Sequence, residues 1–276
     1  MPSVLVTGAA RGIGRATASR LAGAGWDVLA GVRSGADGDA LRADRITPVQ
    51  LDVTDAEQVA ALAGALPERL DAVVNNAGIV VNGPIEALPL DDLRHQLEVN
   101  VVGQVAVTQA VLPRLRASRG RVVFVSSLSG RVSTPMTGAY NASKFALEAV
   151  ADALRMEVRP WGIGVVLIEP AQTDTDLWRK ADDTLNESVA SLTPEHRDLY
   201  AKHIEGARKS IPRAQKMASD VEGVAETIEK ALTAKRPRAR YVVGTGPKIQ
   251  GAMAKVTPTP VLDRALGAAL GVPRRP

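Results

Sequence analysis

Ser3-Val4-Leu5-Val6-Thr7-Gly8-Ala9-Ala10-Arg11-Gly12-Ile13-Gly14 is the stretch whose reading decides the fold. A short apolar run ends at a glycine cluster, and a helical pattern follows through Ala16, Leu21 and Ala24. Glycines at 8, 12 and 14 let the backbone turn sharply from strand to helix. The helix start beyond them offers free N–H groups and the positive end of the dipole, a seat for a pyrophosphate. The third glycine is expected to let helix and strand approach closely. An ordinary tight turn also collects glycines, but a strand before and a helix after favour the phosphate reading.

Outward from this loop, strand and helix alternate. Short Val-rich runs at 27–31, 47–51, 71–75, 121–125 and 164–168 read as buried strands, with a last one at 240–243. Helical stretches fall at 56–66, 100–117 and 139–158. The pattern predicts an α/β fold: a Rossmann-like doubly wound parallel sheet of about seven strands, helices on both faces, in a single domain over 1–245. The segment 173–218 is too long for an ordinary connection and reads as a helical insertion over the substrate side. Residues 246–276 read as a basic, helical extension, with Thr259-Pro260 as N-cap and first-turn pair and a stripe of Val261, Leu262, Leu266 and Leu270.

Composition narrows the chemistry. The 276 residues are 45% apolar but only 3% aromatic, so the core must be Ala, Val and Leu. The chain has no cysteine, which excludes disulfides and thiol nucleophiles. Its three histidines, His95, His196 and His203, are too scattered for a zinc enzyme, and no metal is expected. His196 and His203 could share a helix face, and read as solvated. Met1 leads within two residues into Val4-Leu5-Val6 with no basic leader, and no apolar run nears the ~20 residues of a membrane span. A cytoplasmic protein is expected. The net charge of +4 hides an asymmetry: 235–276 holds nine Lys/Arg and only Asp263, a net +8, against −4 for the rest. Such an end can meet anionic lipid or phosphates, but packing on its own body or on a second subunit is the expectation. Without aromatic stacking partners or a motif, nucleic acid is not expected.

The loop spacing departs from G-x-G-x-x-G. Thr7-Gly8-x-x-x-Gly12-Ile13-Gly14 combines with Asn75-Asn76-Ala77-Gly78, Ser126-Ser127 and Tyr140-Asn141-Ala142-Ser143-Lys144. Together, over roughly residues 3–245, these resemble the short-chain dehydrogenase/reductase family. The stretch 125–147 is similar to hydroxysteroid and retinol dehydrogenases. The resemblance implies a nicotinamide dinucleotide cofactor whose pyrophosphate meets Gly8, Arg11, Gly12, Ile13 and Gly14. It also implies that Asp52 and Val53 flank the adenine and that Asn75, Ala77 and Gly78 line the cofactor's middle. Pro170, Thr173 and Thr175 would then contact the carboxamide and phosphate, and Asn100 would hold a water that relays a proton from Lys144. Where the family usually has Pro-Gly, this chain has Pro170-Ala171. A homodimer or homotetramer through the helices at 100–117 and 139–158 is implied as well.

The residues themselves carry the cofactor and catalytic readings further. Arg33 follows the second strand with no acid before Asp37, and Arg11 adds a second positive charge, so NADP(H) is expected rather than NAD(H). Tyr140 and Lys144 stand at i and i+4 and share a helix face. A free phenol titrates near ~10; a neighbouring ammonium and a positive nicotinamide would lower it, giving a proton donor and acceptor. Tyr140 and Lys144 thereby also touch the cofactor. Ser127 stands at the mouth of a strand and is preferred over Ser129 and Ser143 for binding the substrate oxygen. Met136, residues 79–81, Leu177, Trp178, Leu185 and Leu192 are expected to make apolar walls and a roof, hence an apolar small-molecule substrate. The expected activity is alcohol–carbonyl oxidoreduction. The alternative is a non-catalytic NADP(H)-binding protein of the same fold, which would be expected to lack the Tyr/Lys pair.

Overall fold

The computed structural model describes residues 1–175, 179–244, 251, 253 and 256–273. Seven parallel strands form one sheet: β1 (Ser3–Thr7), β2 (Asp27–Val32), β3 (Ile46–Gln50), β4 (Ala72–Asn75), β5 (Arg121–Val125), β6 (Gly164–Glu169) and β7 (Arg240–Val242). Their order is β3-β2-β1-β4-β5-β6-β7. The chain winds outward from β1 to β3, then returns to place β4 on the other side of β1. The order reverses between β1 and β4, and there the carboxyl ends of the strands part into a crevice.

Side-chain alternation sorts the strands onto two cores. Leu5, Val73, Val122, Phe124 and Leu167 face α3 (Ala56–Ala65), α5 (Gly103–Ser118) and α6 (Gly138–Glu157), meeting Leu62, Val107, Val111 and Leu147. Val4, Val6, Val74, Val123, Val166 and Ile168 face the opposite way, against α1 (Gly12–Gly23) and α10 (Val221–Thr233). Between these lie α2 (Gly35–Asp39), α4 (Leu90–Leu97), α7 (Ala181–Ser191), α8 (Pro194–Leu199) and α9 (Ala201–Lys216); α11 (Thr259–Ala269) follows β7. Strands buried on both faces lack an alternating polar pattern, which is why they read as continuous Val runs. Arg121 fastens one layer: its guanidinium donates to the carbonyls of Ala231 at 2.5 Å and Leu232 at 2.6 Å, and to that of Ala234. These are the orphan carbonyls at the end of α10.

Four expectations change here. The helix predicted from Asn100 does not begin there: α4 runs into α5 through one π turn, Glu98–Val102, with Asn100 inside it. His196 and His203 lie on separate helices, α8 and α9. Thr259 is not an N-cap; that position is Pro258, and no side chain caps α11. Leu185 and Leu192 do not form a free roof, since they are 3% and 7% exposed, and Leu192 packs with Met136 and Ile204. Leu177 and Trp178 lie outside the described residues.

The C-terminal end rests on its own body. The carbonyl of Leu270 and the Cα of Gly271 press against Gly206 of α9, where a Cβ would strike the Leu270 oxygen. Among the described residues no helix is long and apolar enough to cross a membrane.

Candidate active site

The glycine loop is built by close approach. Gly8 and Gly12 hold φ of +63° and +53°, a conformation that favours glycine. A Cβ on Gly8 would sit 2.9 Å from the Cα of Ala77, and one on Gly12 would sit 3.3 Å from the Thr175 methyl. A Cβ on Gly14 would collide with the Gly8 carbonyl. The same Cβ would lie 2.6 Å from the Asn76 Nδ2, so Gly14 lets the start of α1 close onto the ends of β1 and β4. Arg11 stands at the N-cap of α1 with no side-chain cap bond, so the first-turn N–H groups stay open. Beside them a cavity of about 310 Å³ is lined by Gly12, Arg15, Ser19, Thr175 and Glu222. The side-chain-free cradle and the uncapped helix start fit a pyrophosphate.

At the next two strand ends, Arg33 is exposed directly after β2. Burial pushes the Asp52 carboxyl up, but hydrogen bonds from the Thr54 amide and hydroxyl and the charge of Arg33 hold it below its ordinary value. The Arg33 charge is thus felt at the end of β3. Asp37 is tied back to the Ser34 hydroxyl at 2.7 Å. Val53 is buried, and its carbonyl would be 2.6 Å from a Cβ at Gly103.

At the carboxyl end of β4, Asn75 is fully buried with Nδ2 donating to the Thr108 hydroxyl at 2.9 Å. Its side chain holds β4 to α5 and does not face the crevice. Thr173 is also buried and donates to the Ala171 carbonyl at 3.3 Å. The Pro170 carbonyl accepts from the Leu128 amide at 2.9 Å, fixing the chain after β6 to the turn after β5. Ala77 and Gly78 line the crevice by backbone, and Ile13 and Thr175 are half-buried beside it.

The catalytic candidates converge from three elements. Ser127 leaves β5 as the N-cap of a short 3-10 turn, Leu128–Gly130, its Oγ accepting from the Ser129 amide at 3.1 Å. The Ser127 Oγ also donates to the Pro170 carbonyl at 3.4 Å, and its hydroxyl favours the ionised form of the nearby Tyr140 phenol. Tyr140 lies in the first turn of α6, which Asn141 anchors by donating to the Ser129 and Val132 carbonyls at 3.2 and 3.1 Å. Met136, just before α6, is held at φ +67°, a strained conformation for a non-glycine residue. Lys144 is 5% exposed, donates to the Val125 carbonyl at 2.8 Å, and has its Nζ 5.7 Å from the Tyr140 ring centroid.

Burial governs both titrations. It pushes the Tyr140 phenol above its ordinary value, and the Ser127 hydroxyl pulls it back only in part. It also pushes Lys144 down to about 8, against the upward pull of Glu148. Burial thus opposes the lowering expected from Lys144 and the nicotinamide, and favours the protonated phenol that a reduction consumes. Asn100 is fully buried; Oδ1 accepts from the Ile79 amide at 2.9 Å, and Nδ2 donates to the Ile79 carbonyl and the Ser143 hydroxyl at 3.0 and 3.1 Å. Both amide hydrogens are in use. Ser143 donates to the Tyr140 carbonyl at 2.7 Å and is no rival to Ser127.

The first two thirds of the chain, residues 2–186, match the family model described as short chain dehydrogenase. The chain belongs to the short-chain dehydrogenase family. It is 34% identical to an NADPH-dependent 3-dehydrocapnine reductase from Ornithobacterium rhinotracheale over 96% of this chain and 95% of that protein. It is 35% identical to retinol dehydrogenase 16 of Mus musculus, over 95% and 87%. A short-chain dehydrogenase structure from Streptomyces avermitilis superimposes with a TM-score of 0.77 at 28% identity, covering 97% of each chain. The chain is a member of the hydroxysteroid and retinol dehydrogenase-like type, an oxidoreductase acting between alcohol and carbonyl.

In this short-chain dehydrogenase several structural keys went unassigned by the sequence reading. The Thr7 hydroxyl accepts from the Asn76 and Ala77 amides, both at 3.0 Å. The Asn76 carboxamide donates to the Thr7 and Gly8 carbonyls at 3.0 and 3.1 Å. Gln104 donates to the Ala77 carbonyl at 2.8 Å, and Gln96 spans Val81 and Ile79. These residues tie the loop after β4 to the glycine loop and to the α4–α5 helix. The signal was present, since Thr7 and Asn76 stand inside the quoted motifs; what the sequence hid was that each answers the other's backbone.

Proposed function

We propose that the chain is an NADP(H)-dependent oxidoreductase that interconverts an alcohol and its ketone or aldehyde on a small, largely apolar substrate. The observation that carries this reading is Tyr140 in the first turn of α6 with the buried Lys144 Nζ 5.7 Å from its ring, and Ser127 leaving the carboxyl end of β5. When bound, the nicotinamide supplies or accepts the hydride.

The protein's own groups manage the proton and the oxygen. Tyr140, kept neutral by burial, gives its proton to the substrate oxygen in reduction and recovers it in oxidation. Ser127 holds that oxygen within reach of the phenol. Lys144, as ammonium, stabilises the phenolate left behind. Asn100 positions rather than reacts: it fixes the Ile79 backbone, and through Ser143 it fixes the turn carrying Tyr140. Relay of a proton from Lys144 would use the second lone pair of the Asn100 Oδ1 or of the Ile79 carbonyl.

For the cofactor, the open α1 start with Gly8, Arg11, Gly12, Ile13 and Gly14 holds the pyrophosphate, and Arg33 the 2′-phosphate. Asp52 and Val53 border the adenine; Ala77 and Gly78 border the middle by backbone, with Asn75 acting from behind. Tyr140 and Lys144 would also touch the cofactor, and Pro170, Thr173 and Thr175 would meet its carboxamide and phosphate side. The NADPH-dependent relative named above supports the same cofactor. A cavity of about 290 Å³ between the chain after β4 and α7 has Val80, Val81, Leu88 and Leu192 on its walls together with Asp92, Thr184, Glu187 and Ser188, room for an apolar body with a polar end. In this reading 173–218 is the substrate lid on the 1–245 domain, 246–276 is an extension, and the molecule is a cytoplasmic homodimer or homotetramer.

Fluorescence titration with NADPH and NADH, followed by a carbonyl screen, tests the proposal. Tighter NADPH binding and faster turnover of bulky apolar ketones or aldehydes are expected. Preference for NADH, or for short polar carbonyls, would overturn the corresponding part.

A further inference from the structure

Behind the Tyr140–Lys144 pair lies a group of buried charges that the proposed reaction does not use. Glu148 stands one helical turn after Lys144 on α6 and is 8% exposed. Glu169, the last residue of β6, is fully buried. Arg240 enters from β7, the edge strand: its Nε lies 2.9 Å from Glu148 Oε2 and 3.4 Å from Glu169 Oε1, and its second arm 2.6 Å from Asp152. Arg131, just past the 3-10 turn, pairs with Glu169 at 2.5 Å, and Arg155 with Asp152 at 2.6 Å. The turn presses on this group directly, for a Cβ on Gly130 would be 2.9 Å from Glu148 Cγ and 3.0 Å from the Lys144 carbonyl.

The pairing is uneven. Glu169 is served by Arg131, and Asp152 by Arg155 and Arg240. Glu148 and Glu169 each keep one oxygen, Oε1 and Oε2, buried without a hydrogen-bond partner, but Glu169 has two guanidiniums beside it, Arg131 and Arg240, and Glu148 only Arg240. Leaving a buried carboxylate half-satisfied is costly unless another charge answers it. Lys144 lies one helical turn earlier on the same face, and the Glu148 charge pulls its titration upward although the two form no direct ion pair. We propose that Glu148 is a positioning residue for the reaction: fixed from the sheet edge by Arg240, its carboxylate is the counter-charge that keeps Lys144 an ammonium beside Tyr140. The inference rests on the oxidoreductase reading for its consequence, not for its physics.

Two substitutions shift the lysine in opposite directions. Glu148→Gln keeps the shape and removes the charge, so Lys144 loses its counter-ion and titrates lower. Arg240→Met removes a cation and leaves Glu148 to face Lys144 alone, so Lys144 titrates higher. Lys144 is followed by 13Cε NMR, its signal assigned by its loss in Lys144→Met. From a wild-type midpoint near 8, the midpoint should fall by about one pH unit in Glu148→Gln and rise in Arg240→Met. Glu148→Asp should leave it nearly in place. Where turnover is measurable, the alkaline limb of the carbonyl-reduction profile should move with the midpoint while KM stays unchanged. Unmoved midpoints in folded Glu148→Gln and Arg240→Met, or movement in the same direction, would overturn the proposal. If Glu148→Gln does not fold, an unmoved midpoint in Arg240→Met suffices to reject it. Absence of turnover with either nicotinamide dinucleotide would instead overturn the oxidoreductase reading, and the NMR midpoints would still decide the counter-charge.

Discussion

Among the candidate catalytic residues, Lys144 is brought by burial to about 8, where its protonation changes near physiological pH. Below that value the ammonium is present and the phenolate formed as Tyr140 gives up its proton is stabilised; above it the support is lost. Carbonyl reduction at saturating cofactor should therefore fall as pH rises through about 8, and a flat pH–rate profile to pH 10 would contradict this. Tyr140→Phe removes the proton donor and should lower kcat by about 10²- to 10⁴-fold while dinucleotide affinity, followed by fluorescence, stays close to wild type. Unchanged turnover would refute the assigned role. Arg33→Asp exchanges the one cation at the end of β2 for an anion. A charge-assisted contact is worth about 1.5–3 kcal/mol, so NADPH binding should weaken about 10- to 100-fold more than NADH binding; equal losses would remove Arg33 from the phosphate site. Of these residues the sequence named Tyr140, Lys144, Ser127 and Arg33, because motif spacing identifies chemical groups. It could not show which way burial tips a phenol, since burial is set by the fold around it.

At the scale of elements, the strands were legible within a residue or two: an all-parallel sheet buries both faces, and its strands are uninterrupted Val runs such as Arg121–Val125. The π turn at Glu98–Val102 was not legible, since one additional residue in a helix leaves no mark on hydrophobic periodicity. The insertion after β6 was recognised by its length, but Leu185 proved buried and Leu192 packed with Ile204 and Met136, because a helical stripe has the same spacing whether it lines a pocket or packs inward. This insertion is held on two sides. Ile204 of α9 packs on Met136 near Tyr140, and Gly206, two residues on, receives the end of the C-terminal segment. Gly206→Val should push that end away, with an overpacking cost of about 1–3 kcal/mol. Limited proteolysis should then cut within 245–276 sooner than in the wild type; an identical digestion pattern would show that the contact does not retain the segment.

For the whole molecule, the doubly wound order places the glycine loop, Arg33, Ser127 and the start of α6 along one edge of the sheet, so parts of the site separated by over a hundred residues meet by topology alone. The same winding leaves one layer waiting. Val123, Val166 and Ile168 are covered by Val224, Ile228 and Leu232 of α10, and Arg121 in the middle of the chain seals that helix's end. A chain stopped at residue 219 should have its sheet largely built and the part of one face beside β5 and β6 bare, binding a dye such as ANS and precipitating where the full chain stays dispersed; a soluble, dye-silent fragment would contradict this. During synthesis, then, the ribosome must release nearly the entire catalytic unit before its greasy underside is sheltered, and the cell's holding chaperones have most of the polypeptide's emergence time in which to find it.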